Sequence, residues 1–165
     1  MGKKKIKKVD FRRRREGKTN YSRRMKLLKS GKPRLVIRKT NKYIIAQIVK
    51  SKEAQDFVIA YANSKELAKF GWQHGFKNVP AAYLTGFLLA RKAKGKITDA
   101  ILDIGLQRST KGSRIYAAVK GAIDAGLQIK CSEKMWNEER IRGKHLKKNV
   151  EKDIEEVKKK IEARW

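Results

Sequence analysis

The chain has 165 residues, 44 of them Lys or Arg against 16 Asp or Glu, for a formal net charge of +28. A molecule so charged repels itself unless a polyanion neutralises it, which points to nucleic acid. Its apolar fraction of 40% suits one core with tails; two histidines and one cysteine exclude an internal disulfide and any zinc-ligand spacing, and the longest apolar stretches, such as Ala81 to Ala90, are too short for a bilayer.

The charge is concentrated at the start. Residues 1–42 hold 19 Lys or Arg against Asp10 and Glu16. The basic beginning lacks the apolar segment of a signal peptide, so a cytoplasmic protein is expected. Within it, Phe11 to Arg24 packs Arg12, Arg13, Arg14, Arg15, Lys18, Arg23 and Arg24 around Glu16, with Tyr21 near the end. No core buries so many guanidiniums. Their forks match phosphate oxygens, and a Tyr ring offers a base a surface to stack on. Residues 1–32 are therefore read as an RNA-binding arm that orders on its partner. Arg23 to Ser30 can form a short helix before Gly31-Lys-Pro33 breaks it.

Three strand-like segments follow: Arg34–Lys39, Tyr43–Val49 and Phe57–Tyr61. The short turns between them predict an antiparallel meander. Arg38, Lys39, Asn41 and Lys42 cluster at one hairpin end and read as a phosphate clamp. Ser64 is placed to cap a short helix through Leu67 and Phe70, stopped at Gly71. Trp72 and His74 lie in the next loop, where Trp72 either stacks on a base or closes the core. Asn78 and Pro80 open a helix that carries Leu84, Phe87 and Leu88 and ends near Gly95.

Ala100 to Leu106 reads as a strand buried on both faces. The turn Thr110-Lys-Gly-Ser-Arg114 enters a helix bearing Ile115, Val119 and Ala122, with Gly126 as its stop. At that turn Lys111, Ser113 and Arg114 add donors to a helix N-terminus, where an anion is favoured. Ser113 reads equally well as a plain cap. Leu127 to Cys131 is expected to be a last strand. The succession βββα-α-β-α-β predicts an α/β fold, a mixed five-stranded sheet with helices on both faces, over residues 33–131. Residues 132–165 form a helical extension. Leu146, Val150, Ile154, Val157, Ile161 and Trp165 fall on one stripe, which should dock on its own domain or on a neighbouring protein. Glu155 with Lys159, and Glu156 with Lys160, are spaced as helical ion pairs.

Catalysis is poorly supplied. A metal-dependent nuclease needs converging carboxylates. Of Asp99, Asp103 and Asp124, only Asp103 lies within a predicted core strand. No catalytic residue, metal or cofactor is expected, and Asp103 reads as structural or RNA-facing. Arg142 and Lys144, in Ile141 to His145, read as surface or RNA contact in equal measure.

These motifs together resemble one family. The arm Phe11 to Tyr21, Lys29 to Val36, Phe70-Gly-Trp72, Pro80 to Gly86 and Ile101 to Gly105 all carry the likeness. So do Thr110 to Arg114, Lys120 to Leu127 and Glu139 to Gly143, over roughly residues 9–146. The family is the universal large-subunit ribosomal protein numbered eighteen in bacteria and archaea, and the likeness is of the archaeal type. The resemblance implies a ribonuclease-H-like sheet of the translational machinery that is not an enzyme. It implies binding to 5S rRNA, attachment of that RNA to the large-subunit rRNA in the central protuberance, and neighbouring ribosomal proteins as partners, with no membrane or DNA. On the matching motifs, Arg12 to Arg15, Lys18, Asn20, Tyr21, Arg23 and Arg24 carry arm contacts, and Lys111, Ser113 and Arg114 carry loop contacts. The Lys-rich residues 1–8, the pair Lys130-Cys131 and the segment after Leu146 depart from the family pattern. The alternative is a free RNA-binding or RNA-processing factor on the same fold.

Overall fold

The computed structural model describes residues 9–53, 55–146 and 150–165. Strands β1 (Arg34–Lys39), β2 (Ile44–Lys52), β3 (Gln55–Asn63) and β4 (Ile101–Asp103) form one mixed sheet in the order β3-β2-β1-β4. The first three make the expected antiparallel meander, and β4 joins β1 in parallel. Alternation sorts the side chains. Leu35, Ile37, Ile44, Ala46, Ile48 and Ala62 face the helices and are fully buried. Arg34, paired with Val49, and Asp103, paired with Val36, lie on the other face.

Two helices fill the apolar face, α3 (Val79–Ala93) and α4 (Arg114–Asp124); in chain order they follow α1 (Arg12–Arg15) and α2 (Tyr21–Lys29). Asn78 caps α3 as expected, accepting the Ala81 N–H at 2.8 Å. Before it, Ser64–Phe70 is a 3-10 turn capped by Asn63 rather than Ser64, with Glu66 returning a bond to the Asn63 N–H. Ser64 instead accepts the Ile44 N–H, tying the turn to β2. Helices α3 and α4 cross at Gly86 and Gly121. A Cβ on Gly86 would lie 1.9 Å from the Ala118 oxygen, and one on Gly121 2.0 Å from the Tyr83 oxygen. Backbone touches backbone there, which only glycine permits.

Three expectations need correction. The sheet has four strands, not five. Gly105 takes φ 61° and turns the chain out of β4 after Asp103, so the edge is short. The segment Leu127 to Cys131 makes a single parallel bridge, Asp99 to Gln128, and then departs towards Met135, whose carbonyl accepts the Gly112 N–H at 2.8 Å. For the same reason β4 is an edge strand, with Ile101 and Leu102 only half-buried. The large helices cover one face, while α2 is tied to the other by polar contacts described below.

The extension is not one continuous helix. It divides into α5 (Glu138–Ile141) and α6 (Glu151–Arg164), and Leu146 lies in the connection. The stripe docks on its own domain: Val150, Ile154, Val157 and Ile161 are buried with the core, against α3 and the 3-10 turn. Trp165 ends beside Phe70, ring centroids 6.1 Å apart. The pairs Glu155–Lys159 and Glu156–Lys160 do not form. Arg91 to Glu162, at 3.0 Å, links α6 to α3 instead. Of the lysines on the other face, Lys152, Lys159 and Lys160 are exposed, and Lys147 and Lys148 lie outside the described residues. No helix among the described residues is long and apolar enough to cross a membrane.

Candidate nucleic-acid interface

The arm is built from local rules. Phe11 precedes the single turn α1 and packs on Tyr21, centroids 5.1 Å apart. The Thr19 hydroxyl accepts from Arg13 Nε at 2.9 Å. Asn20 caps α2 by accepting the Arg23 N–H at 3.0 Å, so its side-chain oxygen is engaged within the protein. Arg12, Arg13, Arg14 and Arg15 are all exposed. Their partial counterweights are Asp10, 3.5 Å from Arg14, and Glu16, 2.9 Å from Lys18.

From α2 onward the arm is attached to the sheet. Arg24 reaches Asp56 at 2.8 Å, and Arg23 donates to the Gly105 carbonyl at 3.5 Å. Asp56 also accepts from Arg34 at 2.8 Å and from the Ser51 hydroxyl. Arg34 bonds Asp103 at 2.9 Å, and Asp103 accepts from Arg38 at 3.0 Å and from the Gly105 N–H at 2.9 Å. The result is a chain of alternating charges across the non-helical face, Arg24–Asp56–Arg34–Asp103–Arg38. Asp103 is thus structural. It spends its oxygens on two arginines and a backbone amide and aims Arg38 at the surface.

Burial pushes the Asp103 carboxyl up, but the Arg38 charge and hydrogen bond, the Gly105 N–H and Arg34 outweigh it and hold the group below the usual carboxylate range. Burial also opposes ionisation of Asp56, yet bonds from Ser51, Arg24 and Arg34 bring it down to about 2. Both pKa values are depressed on folding. Their stabilisation is therefore complete above the unfolded value near 3.8 and is lost as pH falls below it, for Asp56 as far as about 2. Asp103→Asn should cost roughly 3 kcal/mol at neutral pH by leaving buried Arg34 partly uncompensated. It should also flatten the acid limb of a denaturation profile below about pH 3.8, because the folded-state Asp103 pKa is lowered from that value. RNA affinity should fall only a few-fold, and an unchanged acid limb would contradict the role given to Asp103.

Two basic hollows result. The larger, about 600 Å³, is a cleft between the arm and the β4–α4 loop. It gathers Arg13, Lys18, Asn20, Arg23, Arg24 and Arg38, all expected from the sequence, and adds Lys26 and Arg108. Arg108 was signalled only by its place just after a core strand. Arg12, Arg14, Arg15 and Tyr21 do not line the cleft. The second hollow collects Lys39, Lys111, Ser113 and Arg114 with Lys77, Arg140 and His145. The hairpin clamp is therefore divided. Neighbouring strand residues point to opposite faces, so Arg38 joins the cleft and Lys39 the second hollow. Asn41 and Lys42 stay exposed in a turn closed by Thr40 and Tyr43.

Other candidates make contacts within the protein. Trp72 is buried in the core, and the neighbouring His74 bonds Asp153 on α6. Arg142 and Lys144 lie near Glu151 and Glu139, at 3.8 and 3.2 Å. Asp124 accepts from the Tyr83 hydroxyl and pairs with Lys120. No group of His, Cys, Asp and Glu among the described residues could hold a metal ion.

A mixed α/β sheet whose arm and loops form carboxylate-poor basic hollows defines a polyanion-binding protein. The model of a family described as ribosomal large subunit proteins 60S L5 and 50S L18 matches residues 5–100 and 92–132. Three archaeal relatives, each named large ribosomal subunit protein uL18, are similar over nearly all of the chain. The protein of Korarchaeum cryptofilum is 59% identical over 90% of this chain and 77% of its own length. That of Methanoregula boonei is 46% identical over 93% and 95%, and that of Caldivirga maquilingensis 43% over 96% and 91%. The chain belongs to this family of large-subunit ribosomal proteins, not to a family of enzymes.

Proposed function

We propose that the chain, as a structural constituent of the large ribosomal subunit, binds 5S rRNA and helps attach it to the large-subunit rRNA in the central protuberance. The observation that carries this reading is the cleft between the arm and the β4–α4 loop. There Arg13, Lys18, Arg23, Arg38 and Arg108 converge from three parts of the chain. Arm and sheet are joined by the Arg24–Asp56 pair. Part of the interface is thus a shaped surface, not a loose basic tail. Shape discriminates between RNAs, whereas charge binds them all. We read the fold as the ribonuclease-H-like sheet of the translational machinery, with its fifth strand reduced to one bridge. The cytoplasmic subunit supplies the remaining partners, large-subunit rRNA and adjacent ribosomal proteins.

The test is a gel shift on purified 5S rRNA with tRNA as competitor, repeated across salt. 5S rRNA should win at moderate salt, and its advantage should shrink as salt is lowered and charge dominates. Equal binding of both RNAs at every salt concentration would refute the 5S assignment.

A further inference from the structure

We propose that the free edge of β3 is a docking site for an extended segment of a second protein of the subunit, which adds to the sheet as a further strand. The proposal rests on the chain's place in the large subunit and not on the 5S assignment. The order β3-β2-β1-β4 leaves β3 with a strand on one side only. Lys92 closes one end of the open side by donating to the Tyr61 carbonyl at 3.0 Å, and the pairing with β2 skips Ile59 in a bulge. Both devices discourage strand addition, and neither reaches Gln55 to Val58. There Phe57 is 53% and Val58 54% exposed. They are consecutive residues, so their side chains leave opposite faces of the sheet. A ligand lying on one face covers only one of them. A chain that runs along the edge covers both, and its N–H and C=O groups answer the outward backbone groups of β3.

Charge selects the occupant. Strand β3 holds no Lys or Arg, in a chain with 44 of them. Its one acid, Asp56, is engaged by Arg24, Arg34 and Ser51. RNA would need cations along the edge and would leave Val58 uncovered. A second copy of the chain would bring another +28 and be repelled. The cations stand beside the apolar stretch, on β2. Lys50 and Lys52, opposite Phe57 and Gln55, are both exposed. Lys50 meets no acid among the described residues, and Lys52 lies 3.9 Å from the exposed Glu53. The fitting segment is therefore an extended peptide of a protein neighbour. Its apolar side chains cover Phe57 and Val58, and a carboxylate beside them pairs with Lys50.

Photocrosslinking in purified large subunits tests the edge. A benzophenone-bearing side chain in place of the exposed Gln55 should link to a peptide of a second ribosomal protein. Linkage to rRNA, to a second copy of the chain or to nothing would overturn the proposal. Phe57→Gln combined with Val58→Gln should lower the crosslink yield per incorporated chain roughly tenfold, because the apolar contact is lost. Both side chains are exposed, so melting temperature and 5S rRNA affinity should stay as in the parent. A parental yield in the double variant would overturn the proposal. So would a matching fall in 5S rRNA affinity, which would make the edge an RNA contact. Hydrogen exchange separates strand addition from side-chain contact alone. The outward amides among Gln55 to Val58 should exchange roughly tenfold more slowly in the subunit than in the free protein. Unchanged exchange there would refute the added strand. A protein crosslink from a chain that does not prefer 5S rRNA over tRNA would uphold the edge and remove only the 5S reading.

Discussion

Gly121→Val is expected to leave little folded protein at ambient temperature, and Gly86→Val to do the same. A Cβ at Gly121 would sit 2.0 Å from the Tyr83 carbonyl oxygen and 2.9 Å from its carbon. At Gly86 it would meet the Ala118 backbone at 1.9 Å. Overpacking against a side chain costs about 1–3 kcal/mol because the side chain can turn aside. A helix backbone cannot. The two helices would have to separate by more than an ångström along their crossing, and α3 is buried on nearly every side, from Val79 through Ala90. Contacts of Leu84, Phe87, Val119 and Ala122 would loosen together. A loss above about 4 kcal/mol is then expected, close to the whole stability of many domains of this size. Circular dichroism during thermal or urea unfolding measures it. Gly121→Ala makes the argument sharp. On an open helix that change would stabilise by up to about 1 kcal/mol. Here it should destabilise, and a gain would show that the helices are not in backbone contact.

Those two glycines also show what the sequence could not say. Both belong to motifs that carry the family likeness, Pro80 to Gly86 and Lys120-Gly-Ala122, and nothing in a linear reading separates a glycine kept for packing from one kept near RNA. Periodicity found the meander, the long helix after Asn78 and the helix after Ser113, because each repeats a local pattern over several turns or residues. It failed where an element's length depends on its neighbour. Leu127 to Cys131 is apolar enough for a strand, but β4 ends at Asp103 and leaves it almost nothing to pair with. The docking of α6 was legible as a stripe. Its start was not, because Leu146 keeps the period while lying outside the helix.

The candidate interface was legible to a similar depth. Charge density located the arm, and the strand-to-helix turn located Lys111, Ser113 and Arg114. The grouping of these residues was hidden. Whether Arg38 and Lys39 share a site depends on which faces the strand presents, and Lys77, Arg108, Arg140 and His145 meet the others only through the tertiary fold. Asp103 is instructive in another way. A lone acid on a core strand of a basic protein invites a catalytic reading. Arg34 and Arg38 show that its work is to neutralise and orient cations.

Removing residues 1–19 is expected to lower affinity for 5S rRNA by orders of magnitude while leaving the domain folded. The boundary matters. Asn20 must stay because it caps α2, and Arg24 must stay because it fastens that helix to Asp56. Besides Lys3, Lys4, Lys5, Lys7 and Lys8, the truncation takes away Arg12, Arg13, Arg14, Arg15 and Lys18, and none of these last five is buried. In the free protein these charges are mainly a liability, crowded within two turns and offset by Asp10 and Glu16 alone. Exposed pairs such as Arg14–Asp10 contribute little, so their loss should scarcely move the melting temperature. On RNA the balance reverses, because each cation that meets a phosphate releases condensed counterions. If Arg12, Arg13, Arg14, Arg15 and Lys18 alone engage one phosphate apiece, the slope of log K against log salt should become shallower by roughly 3.5 to 4.5, and by about twice that if the five lysines of residues 3–8 do so as well. The part of the cleft formed by Arg23, Arg38 and Arg108 remains in the truncated protein, so a residual preference for 5S rRNA over tRNA should persist at low affinity. Filter binding across a salt series, beside a thermal melt of the same sample, reads all three quantities. An unchanged salt slope would mean that the arginines of α1 face solvent in the complex and that the folded surface alone carries the RNA. A collapsed melting temperature would mean that the arm is part of the core's support, contrary to its exposure.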